Sequence, residues 1–347
     1  MGKLVDGQWI ADDVAKTGAD GRWERTPTVV RHWITADGSS PFPPDAGRYH
    51  LWLAWNCTWS QRTLIVRNLL GLQDALSFSM AHWHRNDGGW WFREGVDALQ
   101  PDAPQAWETW DPESGFQRAE AVPGLSLWKV YVAGEPDYTG RATVPLLWDR
   151  QSGRLVSNES SEILRMVGTA FAQSGLTNGV DLLPEALRAD IEQTNEWVYD
   201  GINNGVYKVG FAGSQGAYET ALDTVFEALD RAEERLSRTR YLCGDVLTEA
   251  DVRLFPTLVR FDAVYFGHFR CNLRSLSSYP NLGPYLRDLY QTPGFAETVR
   301  LPFYKLGYMG RSARLNPSRI IPRGPVVDLD APHDRDRLGP RGFHMHG

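Results

Sequence analysis

The stretch RYHLWLAWNCTWSQRTLIVRNLLGL, residues 48–72, constrains the fold more than any other part of the chain. Tyr49, Leu51 and Leu53 alternate with His50, Trp52 and Ala54, the period of a strand. After NCTW, Leu64, Ile65, Leu69 and Leu72 recur at helical spacing. A strand, a short turn and a helix are predicted, with Cys57 at the turn. LSFSM (76–80) reads as a second strand and ATVPLLWD (142–149) as a third. Pro145 stands where a mid-strand proline is normally refused, so Val144–Pro145 is expected to be cis and to end the pairing beside a ligand. RLVS (154–157) gives a short fourth strand, and NESSEILRMV opens a second helix.

That order, β-α-β then β-β-α, predicts a thioredoxin-like domain over residues 48–170. Residues 1–47, rich in Gly, Pro and Asp, read as an extension laid over the surface. The span from His82 to Arg141 is too long for a simple crossover and must hold an insertion. From 180 to 316 strands give way to amphipathic helices such as YETALDTVFEALDRAEERL, with Ala221, Leu222, Val225, Phe226, Leu229, Ala232 and Leu236 on one face. In LTEADVRLFPTLVRF, Thr248 is the N-cap, Asp251 completes a capping box, and Leu247 with Val252 forms a hydrophobic staple. The proline-rich tail, 317–347, is expected to be extended or partly disordered. The fold class is therefore α/β plus all-α, and 347 residues with 42% hydrophobic content suffice for two cores.

Charge and cysteine usage narrow the function. Acidic residues outnumber basic ones 43 to 36, and no Lys/Arg cluster interleaves with aromatics, which argues against nucleic acid as a partner. The N-terminus lacks the apolar core of a signal peptide and no apolar run is long enough to span a bilayer, so a cytoplasmic protein without membrane contact is expected. The three cysteines, Cys57, Cys243 and Cys271, form no CxxC pair and no zinc spacing. Cys243 and Cys271 read as buried small hydrophobes. Cys57 differs, because backbone N–H groups and the macrodipole at a helix start favour an anion, and a thiol so placed can fall from about 8.5 to roughly 3.5–7.5 in pKa. In CTWS the fourth residue is Ser60, whose hydroxyl is expected to donate to the thiolate but cannot resolve a mixed disulfide. A resolving thiol must then come from solution, as it would from glutathione. Glu159 and Ser160, at the second helix start, suit an amino-acid headgroup: hydroxyls and free N–H groups for a carboxylate, Glu159 for an ammonium. The same residues also read as an ordinary capping box. The 14 tryptophans, several near Cys57, suggest a pocket for flat ligands, although most read as core fillers.

NCTWSQR, DGGWWF, GRATVPLLWD, RLVSNESSEI, INNGVYKVGFA, YLCGDVLTEADVRLFPTLVRFD, FRCN, YPNL and LNPSRIIPRGP, in that order, resemble the glutathionyl-hydroquinone reductases, or Xi-class glutathione transferases. The resemblance runs from about Arg48 to Pro325. It implies a thioredoxin-like domain joined to an all-helical one, a homodimer, and reduction of glutathionyl-hydroquinones through a Cys57 mixed disulfide with glutathione as co-substrate. By the same resemblance glutathione is held by Trp90, Arg141, the backbone of Val144, Glu159 and Ser160. Tyr207 and Tyr308 then face the aromatic substrate and bond its hydroxyl or supply a proton.

The family usually reads Cys-Pro-Trp-Ala-His-Arg. Here Thr58, Ser60 and Gln61 replace Pro, Ala and His, which predicts a less rigid turn. Phe303-Tyr304-Lys305, Tyr308-Met309 and Arg311-Ser312 stand where His-Ile-Lys, Tyr-Tyr and Ser-His are usual, changes that reshape the acceptor pocket. Two further readings stay open. One is a transferase or lyase acting on a different aromatic conjugate through Cys57. The other is a non-catalytic binder of aromatic ligands, whose affinity would be indifferent to Cys57→Ser.

Overall fold

The computed structural model describes residues 2–11, 17–85, 87–93, 124–310 and 314–346. A four-stranded sheet is built from β3 (Tyr49–Ala54), β4 (Ser77–Ala81), β7 (Leu146–Asp149) and β8 (Arg154–Ser157), in the order β4-β3-β7-β8. β3 runs parallel to β4 and antiparallel to β7, which is itself antiparallel to β8. The parallel pair needs a crossover, which α1 (Thr58–Leu69) supplies. All four predicted strands are present. β7 begins directly after Pro145, and the Val144–Pro145 bond is cis as expected.

α1 is buried almost all round, because the sheet covers one face and the helical half of the molecule the other. Thr58, Ser60, Gln61, Arg62 and Arg67 are as inaccessible as Leu64 and Ile65. α3 (Ser160–Gln173) follows β8 and packs beside α1. Of the predicted insertion, residues 94–123 lie outside the described residues. Its flanks form the antiparallel pair β5 (Trp91–Arg93) and β6 (Gly124–Ser126), followed by α2 (Leu127–Gly134).

The helical half holds α4 (Arg188–Trp197), α5 (Gly205–Gly210), α6 (Gln215–Leu236), α7 (Glu249–Arg260), the short α8 (Phe266–His268), α9 (Leu282–Tyr290) and α10 (Leu301–Met309). The apolar face of α6 buries Leu222, Val225, Phe226, Leu229, Ala232 and Leu236, as its spacing predicts. At the start of α7 the Asp251 carboxylate accepts the Thr248 N–H at 2.9 Å and the Thr248 hydroxyl at 3.0 Å, so the predicted cap forms. One continuous apolar core joins the sheet, α1 and the helical half.

The extension does more than lie on the surface. Its hairpin, β1 (Lys3–Val5) with β2 (Gln8–Ile10), is fixed by Leu4, and Leu4, Val30, Ile34 and Phe42 are all buried. Backbone bonds from His32 to Val156 (2.8 Å) and from Asn158 to Val30 (3.1 Å) run it along the free edge of β8. The tail is extended, but between 314 and 346 it is anchored rather than loose. The Arg335 guanidinium is buried and donates to the carbonyls of Leu236, Thr239 and Arg240 at 2.7–2.9 Å. Two residues of the tail, β10 (His344–Met345), pair with β9 (Val180–Asp181). No helix of the described residues is long and apolar enough to cross a membrane.

Candidate active site

The turn Trp55-Asn56-Cys57 delivers the sulfur to the first turn of α1. Cys57 is the N-cap, with extended φ/ψ of −85°/117°, and its sulfur accepts the Ser60 backbone N–H at 3.4 Å. No acidic residue occupies the first turn of α1 to oppose a negative charge there. The thiol lies 3.5 Å from the carbonyl oxygen of Val144, across the cis bond from Pro145, and is partly exposed. Ser60 therefore serves the sulfur through its backbone. Its hydroxyl, expected to donate to the thiolate, instead accepts the Ala54 N–H at 3.3 Å, because Ser60 is turned into the strand–helix junction. Cys243 and Cys271 are fully buried, and burial pushes both thiols up, Cys243 to about 12. Of the three thiols, only Cys57 meets solvent.

Thr58, at the next position, is pinned rather than loosened. Its hydroxyl is 3.0 Å from that of Tyr207, 2.9 Å from Tyr265 and 3.1 Å from Tyr308. The phenols also meet one another, Tyr207 to Tyr308 at 2.6 Å and Tyr265 to Tyr308 at 3.2 Å. Tyr308 reaches this cluster because α10 crosses Asn56 at a glycine: a Cβ on Gly307 would stand 2.5 Å from Asn56 Cβ. Burial, and then the neighbouring phenols, hold Tyr265 and Tyr308 well above the usual tyrosine range. Gln61 is tied down as well. Its Nε2 donates to Thr298 Oγ1 at 2.9 Å, and its Oε1 accepts Arg260 Nη1. The less rigid turn predicted from the Pro, Ala and His replacements is thus not what forms, because each substituted side chain found a partner in the helical half or in β3.

Trp90 and Val144 share an apolar cluster against which Cys57 packs, and the Arg85 guanidinium lies 4.2 Å from the Trp90 ring centre. At the start of α3, Glu159 is the N-cap and accepts the Ser161 N–H at 3.1 Å and its hydroxyl at 2.9 Å. Its second oxygen accepts the Thr28 hydroxyl at 3.1 Å. Burial opposes the Glu159 charge, but these bonds and the nearby Arg62 outweigh it and hold the carboxyl below its ordinary value. Among the described residues, the Ser160 hydroxyl, the Val144 N–H and the Arg141 guanidinium have no hydrogen-bond or ion-pair partner. The structure thus sets Cys57 against Val144 and gathers Tyr207 and Tyr308 around Thr58, its neighbour in sequence. Trp90 lies in the apolar cluster with Val144 and Cys57, and Glu159 and Ser160 sit at the start of α3.

The sequence reading missed four participants. Tyr265 and Thr58 complete the hydroxyl cluster. From the extension, Thr28 holds Glu159, and the Arg25 guanidinium stands over Trp59 (4.6 Å), Tyr207 (5.1 Å) and Trp23 (5.3 Å) while its Nε donates to Asn204. Local spacing gives no signal for any of them, since the hydrogen bonds Arg25–Asn204, Thr28–Glu159 and Thr58–Tyr265 each join residues more than 100 apart.

The N-terminal glutathione S-transferase domain matches residues 56–170 and the C-terminal one residues 215–288. A glutathionyl-hydroquinone reductase of Escherichia coli K12, YqjG, is 43% identical over 97% of this chain and 99% of its own. The chain belongs to the Xi-class glutathione transferases. Their solved structures agree: a Xi-class enzyme from Natrialba magadii superposes with a TM-score of 0.84 at 41% identity, covering 97% of each chain. A glutathione-bound structure of YqjG gives 0.81 at 40% identity, over 96% of this chain and 99% of that one. Within the Xi class the predicted combination, a thioredoxin-like unit followed by a helical one, is the shared fold.

Proposed function

We propose that this chain is a glutathione-dependent reductase of aromatic S-conjugates of the glutathionyl-hydroquinone type. The observation that carries the reading is the partly exposed Cys57 sulfur at the N-cap of α1, accepting a backbone N–H and lying beside a cluster of phenolic hydroxyls. Its relatives' activity and the glutathione-bound YqjG support it.

Glutathione is offered complementary groups. The Val144 amide edge suits its peptide backbone. Glu159, kept anionic, suits the α-ammonium, while the Ser160 hydroxyl and the start of α3 suit the α-carboxylate. Arg141 adds a cation and Trp90 an apolar wall. With the conjugate seated, the Cys57 thiolate attacks the glutathione sulfur. A sulfur–sulfur bond forms, the bond from sulfur to the ring carbon breaks, and the electron pair on that carbon takes a proton from Tyr207 or Tyr308. A second glutathione attacks the mixed disulfide, releases glutathione disulfide, restores the Cys57 thiolate and returns a proton to the tyrosine.

The test is incubation with a glutathionyl-hydroquinone and glutathione. Hydroquinone and glutathione disulfide are expected from the wild type, and neither from Cys57→Ala. Equal turnover by the variant would remove the reading. A cytoplasmic homodimer belongs to the same proposal: Ile320 and Val326 on the tail are exposed apolar side chains suited to an interface, and sedimentation velocity measures the assembly.

A further inference from the structure

We infer that Thr58 is a positioning residue for proton delivery: its hydroxyl orients the phenols of Tyr207, Tyr265 and Tyr308 and donates to whichever of them has just lost its proton. The inference rests on the reductase reading above and deepens it.

Four hydroxyls meet at the start of α1, and every pair lies within 3.4 Å. Four oxygens make six contacts but carry only four protons, so the bonds must share them and the arrangement of donors can shift. Thr58 stands apart within this set. It is nearly equidistant from the three phenols, at 2.9–3.1 Å, whereas the phenols lie 2.6–3.4 Å from one another. It is also fixed at its base, being fully buried at the first position of α1 and bonded in sequence to the nucleophile. A phenol that gives its proton to the departing ring carbon becomes an anion in a buried place, where desolvation disfavours it. Each phenolate would then receive the Thr58 O–H and one or both remaining phenol O–H groups, a preorganised set of donors at the site where charge develops. The charged groups facing the cluster are the Arg260 guanidinium from α7 and Arg25 from the extension over Tyr207.

Thr58→Val keeps the shape and removes only the donor and acceptor, and Thr58→Ser restores them. With a glutathionyl-hydroquinone, kcat of Thr58→Val is expected to fall about tenfold or more, since hydrogen bonds to a charged group are among the stronger ones. KM should stay within about twofold, the alkaline limb of the kcat profile should move to higher pH, and Thr58→Ser should recover most of the loss. Mixed-disulfide formation between Cys57 and glutathione disulfide needs no tyrosine proton and should proceed at the wild-type rate. Slow mixed-disulfide formation in Thr58→Val would show that Thr58 serves the sulfur and would overturn the inference, as would an unchanged kcat or a Thr58→Ser no better than Thr58→Val. Absence of turnover in the wild type would instead sink the reductase reading. In that event proton NMR without substrate decides: slowly exchanging hydroxyl resonances present in the wild type and lost in Thr58→Val sustain the cluster, and identical spectra refute it.

Discussion

At the scale of single residues, what this chain stores is polar groups held where water cannot reach them. His50 is one: it is 5% exposed, with its ring nitrogens 2.8 and 2.9 Å from Ser77 and Ser79, and burial pushes it down to about 4. Because the folded value lies below the unfolded one near 6.5, the unfolded chain binds the proton first as pH falls. Stability carried by neutral His50 is therefore complete above about pH 6.5, declines between there and about pH 4, and is constant below. Its size is about 3 kcal/mol. Urea unfolding of the wild type across that window should show the decline, and His50→Gln should flatten it. The site divides in the same way between what sequence reveals and what it hides. Cys57 was legible because its signal is local, a sulfur where strand period gives way to helix period. Thr58 was not, because a threonine after a cysteine means nothing until three tyrosines from the other half of the chain arrive around it.

Elements were predicted well where one face meets one neighbour, and less well where both faces are covered. The stripe on α6 named all its buried leucines and valines, and the Thr248–Asp251 cap announced the start of α7. α1 carried a weaker pattern, since Gln61, Arg62 and Arg67 are buried opposite its leucines and its polar face looks in sequence like a solvated one. Burial pushes the Arg62 guanidinium down to about 9, and it is stabilised by Asn203 Oδ1 at 2.6 Å and the Arg253 carbonyl at 3.0 Å. How closely α10 approaches is decided by Gly307, for which no side chain has room against Asn56. Gly307→Ala should gain a few tenths of a kcal/mol in helix propensity yet lose more by displacing α10, a net destabilisation of about 1–3 kcal/mol. Turnover should fall further than stability, because Tyr308 leaves the cluster next door. Thermal melts and steady-state rates on the same preparation measure the two effects.

At the scale of the whole molecule, the sheet and the helical half are joined by charge as well as by core. Glu249, 1% exposed at the start of α7, accepts Arg165 from α3 at 2.6 Å and Asn195 from α4 at 2.8 Å, and forms an ion pair with Arg253 at 2.9 Å. Glu249→Gln keeps the volume but leaves the largely buried Arg253 guanidinium without its ion-pair partner and takes one of two anions from Arg165, which keeps Glu192 at 2.9 Å. It should lower the unfolding free energy by about 3 kcal/mol, read from denaturant melts. None of this joinery was legible in sequence, since a Glu behind an N-cap threonine is an ordinary first-turn residue. The extension is the third joint, gripping Glu159 with Thr28 and Asn204 with Arg25 while Arg25 roofs Trp59 and Tyr207. A recombinant chain trimmed to start at the first strand of the sheet would therefore not be a smaller edition of this molecule. It would bare an aromatic floor to water and unfasten the carboxylate offered to the tripeptide, and whoever shortens the gene for convenience is handling a different, stickier surface.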